Sequence, residues 1–86
     1  MHYVYLIKSL KHGQIYTGFT SDLRRRFDEH NSGLSKYTSS GIPWKLIYYE
    51  AYLSKEEALR RERSLKLRGN AYAQLRKRIV LSTQKS

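Results

Sequence analysis

Cysteine is absent from the 86 residues, which excludes disulfides and thiolate metal sites. Long hydrophobic runs are absent as well. The apolar stretch around Val4–Ile7 falls far short of a membrane span or a signal-peptide core, so the chain is expected to be cytoplasmic, with no membrane partner. A single proline and five glycines argue against a low-complexity chain. Acidic residues are scarce: seven Asp and Glu face seventeen Lys and Arg, a net charge of +10. Such an excess repels itself and is usually offset by an anionic partner, nucleic acid first and an anionic membrane surface second. A face that merely keeps the protein soluble is the plainer alternative. The charge is also uneven: residues 1–53 hold 7 basic and 4 acidic side chains, and residues 54–86 hold 10 and 3.

What is present is the mixture of a globular protein, 40% hydrophobic and 28% charged. The length accommodates one domain, 1–86, with a core over about 2–70 and a basic C-terminal helix over about 71–81. His2 to Lys8 reads as a strand, with Tyr3, Tyr5 and Ile7 on one face and Val4 and Leu6 on the other. Both faces are apolar, which predicts a central strand covered on both sides. Lys11-His12-Gly13 marks a turn, and Gln14 to Phe19 reads as the antiparallel partner, with Tyr16 and Gly18 sharing a face. A helix is predicted from Ser21 or Asp22 to about Gly33, capped by Ser21 and anchored by Leu23 and Phe27. Residues 33–43 read as a polar loop, and Lys45 to Tyr52 as a third strand. Ser54 and Glu57 stand in capping-box spacing at the start of a second helix reaching about Arg68. A third helix fits Ala71 to Leu81, with Tyr72, Leu75 and Ile79 on one stripe. The order β-β-α-β-α-α predicts an α+β fold, a three-stranded antiparallel sheet flanked by helices.

Three features carry chemistry. On the second helix Ala58, Leu59 and Leu65 define the apolar stripe, and Glu62 falls in its middle. A carboxylate aimed at the sheet costs several kcal/mol unless an arginine, a lysine or a metal ion meets it. On the first helix Arg26 and His30 stand four apart beside Leu23 and Phe27 and point to one spot, either as functional groups or as a solvated rim. The tyrosines number eight, and Tyr5 and Tyr16 can be neighbours on one face of the hairpin. Gly18 beside them is expected to leave that face bare for a substrate backbone. Phenols, arginine, histidine and one inward glutamate together suit phosphodiester hydrolysis: the carboxylate holds a divalent cation, the guanidinium clamps the phosphate, and a phenol or the imidazole takes a proton from water.

The spacing of these residues resembles the GIY-YIG nuclease superfamily, in its short, single-domain branch. Tyr3-Val4-Tyr5 stands at the first signature tripeptide and Tyr16-Thr17-Gly18 at the second, with ten residues between Tyr5 and Tyr16. The run from Tyr16 to Arg26 matches the family segment that leads to its helix arginine, and Ala58 to Lys66 resembles the helix bearing the family's metal-binding glutamate. The first tripeptide keeps only its tyrosine, and the second has Thr17 where isoleucine is usual. The resemblance implies a magnesium-dependent endonuclease acting on DNA, structure-directed in repair or recombination. It implies Mg²⁺ or Mn²⁺ on Glu62 and no small-molecule cofactor. Arg26 is then the catalytic arginine and Tyr5 the general base, with Tyr16 orienting it or sharing the role. His30 bonds the scissile phosphate or the tyrosine, and is the second candidate for base. Branched or duplex DNA without sequence preference is the implied substrate, with room for a protein partner that targets the enzyme.

On the basic C-terminal third, Arg61, Arg68, Arg76, Lys77 and Arg78 are candidate phosphate contacts. Two rival readings stay open: a non-catalytic or partner-activated nucleic-acid-binding module, and a protein-interaction domain. An inward carboxylate favours the enzyme, because it repels phosphate unless a cation intervenes.

Overall fold

The structure, a computed structural model, describes residues 1–81; residues 82–86, the end of the expected 1–86 domain, lie outside the described residues. The elements run β1 (His2–Ser9), β2 (Ile15–Thr20), α1 (Leu23–Ser32), a 3-10 helix (Lys36–Gly41), β3 (Trp44–Tyr52), α2 (Lys55–Lys66) and α3 (Asn70–Arg78). The order β-β-α-β-α-α and the three-stranded antiparallel sheet are those the sequence predicts. None of the described helices is long and apolar enough to cross a membrane.

The sheet order is β2-β1-β3, so β1 is central, and Val4, Tyr5, Leu6 and Ile7 are at most 1% exposed. The pleat sends Val4 and Leu6 into one core with Ala58, Leu65, Tyr72 and Leu75 of α2 and α3. It sends Tyr5 and Ile7 into a second core with Trp44, and Leu23 and Phe27 of α1 pack against them. The helices thus lie on opposite faces, which is why β1 is apolar on both. In β3 the register shifts between Leu6 and Ile7, so Ile47 has no Cα partner and both Ile47 and Tyr48 pack in the first core.

Local chemistry explains most element ends. Asp22, not Ser21, caps α1: its Oδ1 accepts from Arg25 N at 3.1 Å, because Thr20 Oγ1 ties down the Asp22 N–H and sets the entry angle. Gly33 closes the helix in the left-handed region at φ 86°. Ser54 caps α2 through Glu57 N, as its spacing predicts. The chain leaves α2 two residues earlier than expected, and Arg68 turns it with φ 58°.

The one element the sequence missed lies in residues 33–43. They are not a free polar loop: Lys36–Gly41 winds as a 3-10 helix with Thr38 and Gly41 buried. Its backbone is satisfied from elsewhere. Ser9 Oγ donates to Gly41 O at 2.6 Å, and Trp44 Nε1 donates to Thr38 O at 2.7 Å. Asn31 of α1 closes the far end by bonding both Trp44 N (2.6 Å) and Trp44 O (3.0 Å).

Candidate functional site

The β1–β2 register sets Tyr5 opposite Gly18 and Ile7 opposite Tyr16. Both phenols therefore rise on the α1 face, one pair apart. The bare surface expected at Gly18 is filled by the protein itself. A Cβ there would overlap Tyr5 Oη and Cζ, so glycine is required for the Tyr5 ring to lie across β2. That ring carries its hydroxyl toward α1, where His30 and Arg26 wait one helical turn apart.

His30 is fully buried. Its Nε2 is 2.7 Å from Tyr5 Oη and its Nδ1 is 2.7 Å from Thr38 Oγ1. The Thr38 hydroxyl donates onward to Ser35 O at 3.4 Å. One tautomer satisfies every group in this chain: Nδ1–H donates to Thr38 Oγ1, and Nε2 accepts the Tyr5 proton. Burial pushes the imidazole pKa down to about 4, helped by the Arg26 charge and opposed by Glu29, so His30 is neutral at pH 7. Burial likewise pushes the Tyr5 phenol up to about 12, against a hydrogen bond from Arg26 that favours its anion.

Arg26 divides its guanidinium between two partners. Nη1 bonds Glu29 Oε1 at 2.9 Å, which raises its pKa, and the guanidinium also acts on the Tyr5 phenol nearby. Tyr16 completes the cluster with its ring edge-on to His30, centroids 5.3 Å apart. Tyr5 is 1% exposed, whereas Tyr16 is part-exposed and forms one wall of an open cleft. Tyr16 is therefore the phenol that solvent reaches, and His30 has no direct access to it.

Glu62 arrives from the other side of the sheet. Helix α2 packs on the Val4–Leu6 face, beside the edge strand β2, and the Glu62 carboxylate still acts electrostatically on the Tyr5 phenol. It is not the fully buried charge that the helical wheel predicts: the side chain is 18% exposed and Lys66 Nζ stands 3.1 Å from Oε2. The Lys66 ammonium is also 5.9 Å from the Tyr16 ring centroid. Tyr5, Tyr16, Arg26 and His30 are thus in one cluster, with Glu62 at its margin.

Among the described residues no three His, Cys, Asp or Glu gather to form a protein-only metal cage. Magnesium does not need one, since it binds through one or two carboxylates, keeps its waters and takes phosphate oxygens. A part-exposed glutamate that already holds an ammonium fits that mode of binding.

The candidate phosphate contacts divide. Arg61 is committed to structure: its Nε and Nη2 each lie 2.9 Å from an oxygen of Glu50 on β3. Tyr48 and Tyr52 donate to the same carboxylate at 2.5 and 2.6 Å. Burial alone would raise the Glu50 pKa, but these donors hold it below the usual carboxylate value. Arg61 is thereby withdrawn from the phosphate contacts that the basic C-terminal third suggests. Arg68 and Arg76 line the cleft beside Tyr16, and Lys77 and Arg78 are exposed on α3. Sequence reasoning missed Thr38, which sits in a presumed loop and carries no local signal. It also missed Glu29, whose i+3 spacing from Arg26 was a usable one.

Comparison with known proteins gives a consistent family. The sequence profile of the family described as GIY-YIG catalytic domain matches residues 1–77. A UPF0213 protein of Streptococcus agalactiae serotype V is 46% identical over 61 residues, covering 70% of this chain and 68% of that one. A UPF0213 protein of Halobacterium salinarum is 46% identical over 67 residues, covering 77% and 86%. The solution NMR structure of a UPF0213 protein from Bacillus halodurans is 40% identical and superposes with a TM-score of 0.52, covering 98% of this chain and 84% of its own.

Proposed function

The chain belongs to the GIY-YIG catalytic-domain family, and from that premise we propose that it is a metal-dependent endonuclease that hydrolyses phosphodiester bonds in DNA. The observation that carries this reading is the convergence of Arg26, Tyr5, His30 and Tyr16 on one face, with the Glu62 charge near enough to act on the Tyr5 phenol. A structural salt bridge would not require so many polar groups from three elements to meet at one point.

Each group has a task. Glu62 is the residue that would hold Mg²⁺ or Mn²⁺, and the ion, when bound, neutralises charge on the phosphate and the leaving oxygen. Arg26 presents a planar fork to the scissile phosphate, exchanging its Glu29 partner for the substrate anion. Tyr16, as the phenol open to the cleft, is the group that takes the proton of the attacking water. This exchanges the roles that family resemblance gives the two tyrosines, because Tyr5 is buried and its proton already points at His30. Tyr5 and His30 act as positioning residues: the Thr38–His30–Tyr5 chain fixes the phenol against which Arg26 is aimed. Repair or recombination intermediates are substrates in keeping with the family, and the basic surface engages backbone rather than bases.

A second reading, partner-activated cleavage, is favoured by two contacts. Arg26 is paired with Glu29 and Glu62 with Lys66, so both working groups must change partners before catalysis. The deciding experiment is cleavage of duplex, branched and single-stranded DNA with Mg²⁺ or Mn²⁺, using Glu62→Gln as control. Metal-dependent cleavage lost in Glu62→Gln supports the enzyme; DNA binding with no cleavage of any substrate turns the reading to the partner-activated module.

A further inference from the structure

Beside the catalytic face lies a cleft of about 560 Å³ whose walls include Tyr16, Tyr37, Trp44, Arg68, Tyr72 and Arg76. That size is within the range of pockets for small molecules, about 300–1,000 Å³. The two arginines in it are arranged unusually. Arg68 Nη1 donates to Tyr72 Oη at 2.5 Å and Arg76 Nη1 donates to the same oxygen at 3.2 Å. Both guanidinium groups also lie against the Tyr72 ring, 4.2 and 5.7 Å from its centroid. A phenol is neutral, and among the described residues neither arginine pairs with a carboxylate.

Two like charges are therefore held on one oxygen, with no carboxylate among the described residues to balance them. Arg76 Nε is buried and has no hydrogen-bond partner among the described residues. Arg68 is held in place by a donation from Nη2 to Ile15 O at 2.6 Å, from a backbone at φ 58° that side-chain-bearing residues avoid. Two guanidinium groups lining one cleft without a carboxylate partner among the described residues call for an anion with several acceptor oxygens. A phosphate has that geometry.

The same cleft also offers a surface for the second half of a ligand. Tyr37, on the 3-10 helix, is 90% exposed, an aromatic ring with both the area and the freedom to stack on a nucleobase. Tyr16 is the wall that the cleft shares with the catalytic cluster.

We propose that this cleft is a nucleotide subsite, which seats the nucleotide next to the scissile phosphate with its own phosphate on Arg68 and Arg76 and its base against Tyr37. The proposal deepens the nuclease reading and rests on it for the position of the scissile phosphate. The binding itself does not depend on cleavage, so the two can fail separately.

Trp44 is the single tryptophan of the chain and lines the cleft, so its fluorescence reports occupancy. Thymidine 5′-monophosphate is titrated at low salt with EDTA present, beside inorganic phosphate. The expected result is a saturable Trp44 change for both, with the nucleotide bound about tenfold or more tighter, since stacking adds to the anion contact. Arg76→Gln should weaken both ligands. Tyr37→Ala should abolish the nucleotide's advantage and leave phosphate binding as it is; a residue so exposed does not hold the fold, so this variant decides the matter even where Arg76→Gln unfolds. No saturable response, or a nucleotide bound no tighter than phosphate, overturns the proposal. So does a folded Arg76→Gln that binds like wild type. DNA cleavage that persists without nucleotide binding removes the subsite alone; nucleotide binding without cleavage removes the nuclease and keeps the subsite.

Discussion

Arg26 has three partners to choose among: Glu29, the Tyr5 phenol and, in the proposed reaction, the phosphate. Only a guanidinium can serve two of them at once, because lysine offers a point charge. Arg26→Lys should therefore keep most of the DNA affinity but lose about a hundredfold or more in single-turnover rate, the usual loss for one transition-state donor; equal losses in affinity and rate would make it an ordinary binding cation. Glu62→Gln should abolish cleavage. The helical wheel implies a stability gain from removing a buried charge, but the carboxylate is part-exposed and paired with Lys66 at i+4. Such pairs are worth about 0.5 kcal/mol or less, so the urea midpoint should barely move. His30 yields a pH prediction with a definite sign. Its folded pKa of about 4 lies below the unfolded value of 6.5, so the unfolded chain takes up the proton first. Stability should be indifferent to this group above about pH 6.5 and fall by up to about 3 kcal/mol as the pH drops to about 4. Denaturant unfolding across that range checks it, and His30→Gln should remove that slope. The spacing of Tyr5, Tyr16, Arg26 and His30 was legible because each sits on a regular element whose period assigns its face. Thr38 was not, since only the packing of Trp44 and Ser9 brings its segment under His30.

Elements whose ends are set by neighbouring residues could be read from one sequence, and those set by distant partners could not. The Ser54–Glu57 cap and the Gly33 stop are local and were visible. The bulge at Ile47 is not, because it arises from how β3 meets β1. The join between β3 and α2 is another such case. Glu50 points into the α2 side of the sheet, where a carboxylate would be costly, and is met there by Tyr48, Tyr52 and Arg61. Arg61 is 11 residues away on a different element, so its charge reads as surface until the pair is seen. The four-group latch pins the edge strand to the helix that carries Glu62. Glu50→Gln leaves the guanidinium without its anion and should destabilise the fold by about 2 kcal/mol or more in urea unfolding. Its carboxylate pKa is held below the usual value, so the latch is at full strength above that value and is lost as the pH falls through the lowered pKa. A Glu50→Gln variant as stable as wild type would show that the phenols alone hold the join.

Across the whole molecule, the net charge of +10 overstates what is available to a polyanion. Arg61 is spent on Glu50, Arg26 and Arg25 lean on Glu29, and Lys66 on Glu62. Lys77 and Arg78 stand exposed on α3, and Arg68 and Arg76 face the cleft. Counterion release counts only cations that touch phosphate, with a slope of about −0.9 in log K against log salt for each one on duplex DNA. The slope therefore separates the cations that bind from those that build. Lys77→Gln and Arg78→Gln should each make it shallower by about 0.9 with little change in stability. The paired substitution of Glu50→Gln with Arg61→Gln leaves net charge unaltered and spares the fold an unpaired buried ion. It should leave the slope where it was. Equilibrium binding of one duplex over a range of salt concentrations makes the comparison. If the paired variant loses about 0.9 from its slope, Arg61 leaves Glu50 for the DNA, and the latch between β3 and α2 must open when the nucleic acid binds. An unchanged slope instead leaves Arg61 outside the DNA footprint and the latch between β3 and α2 closed.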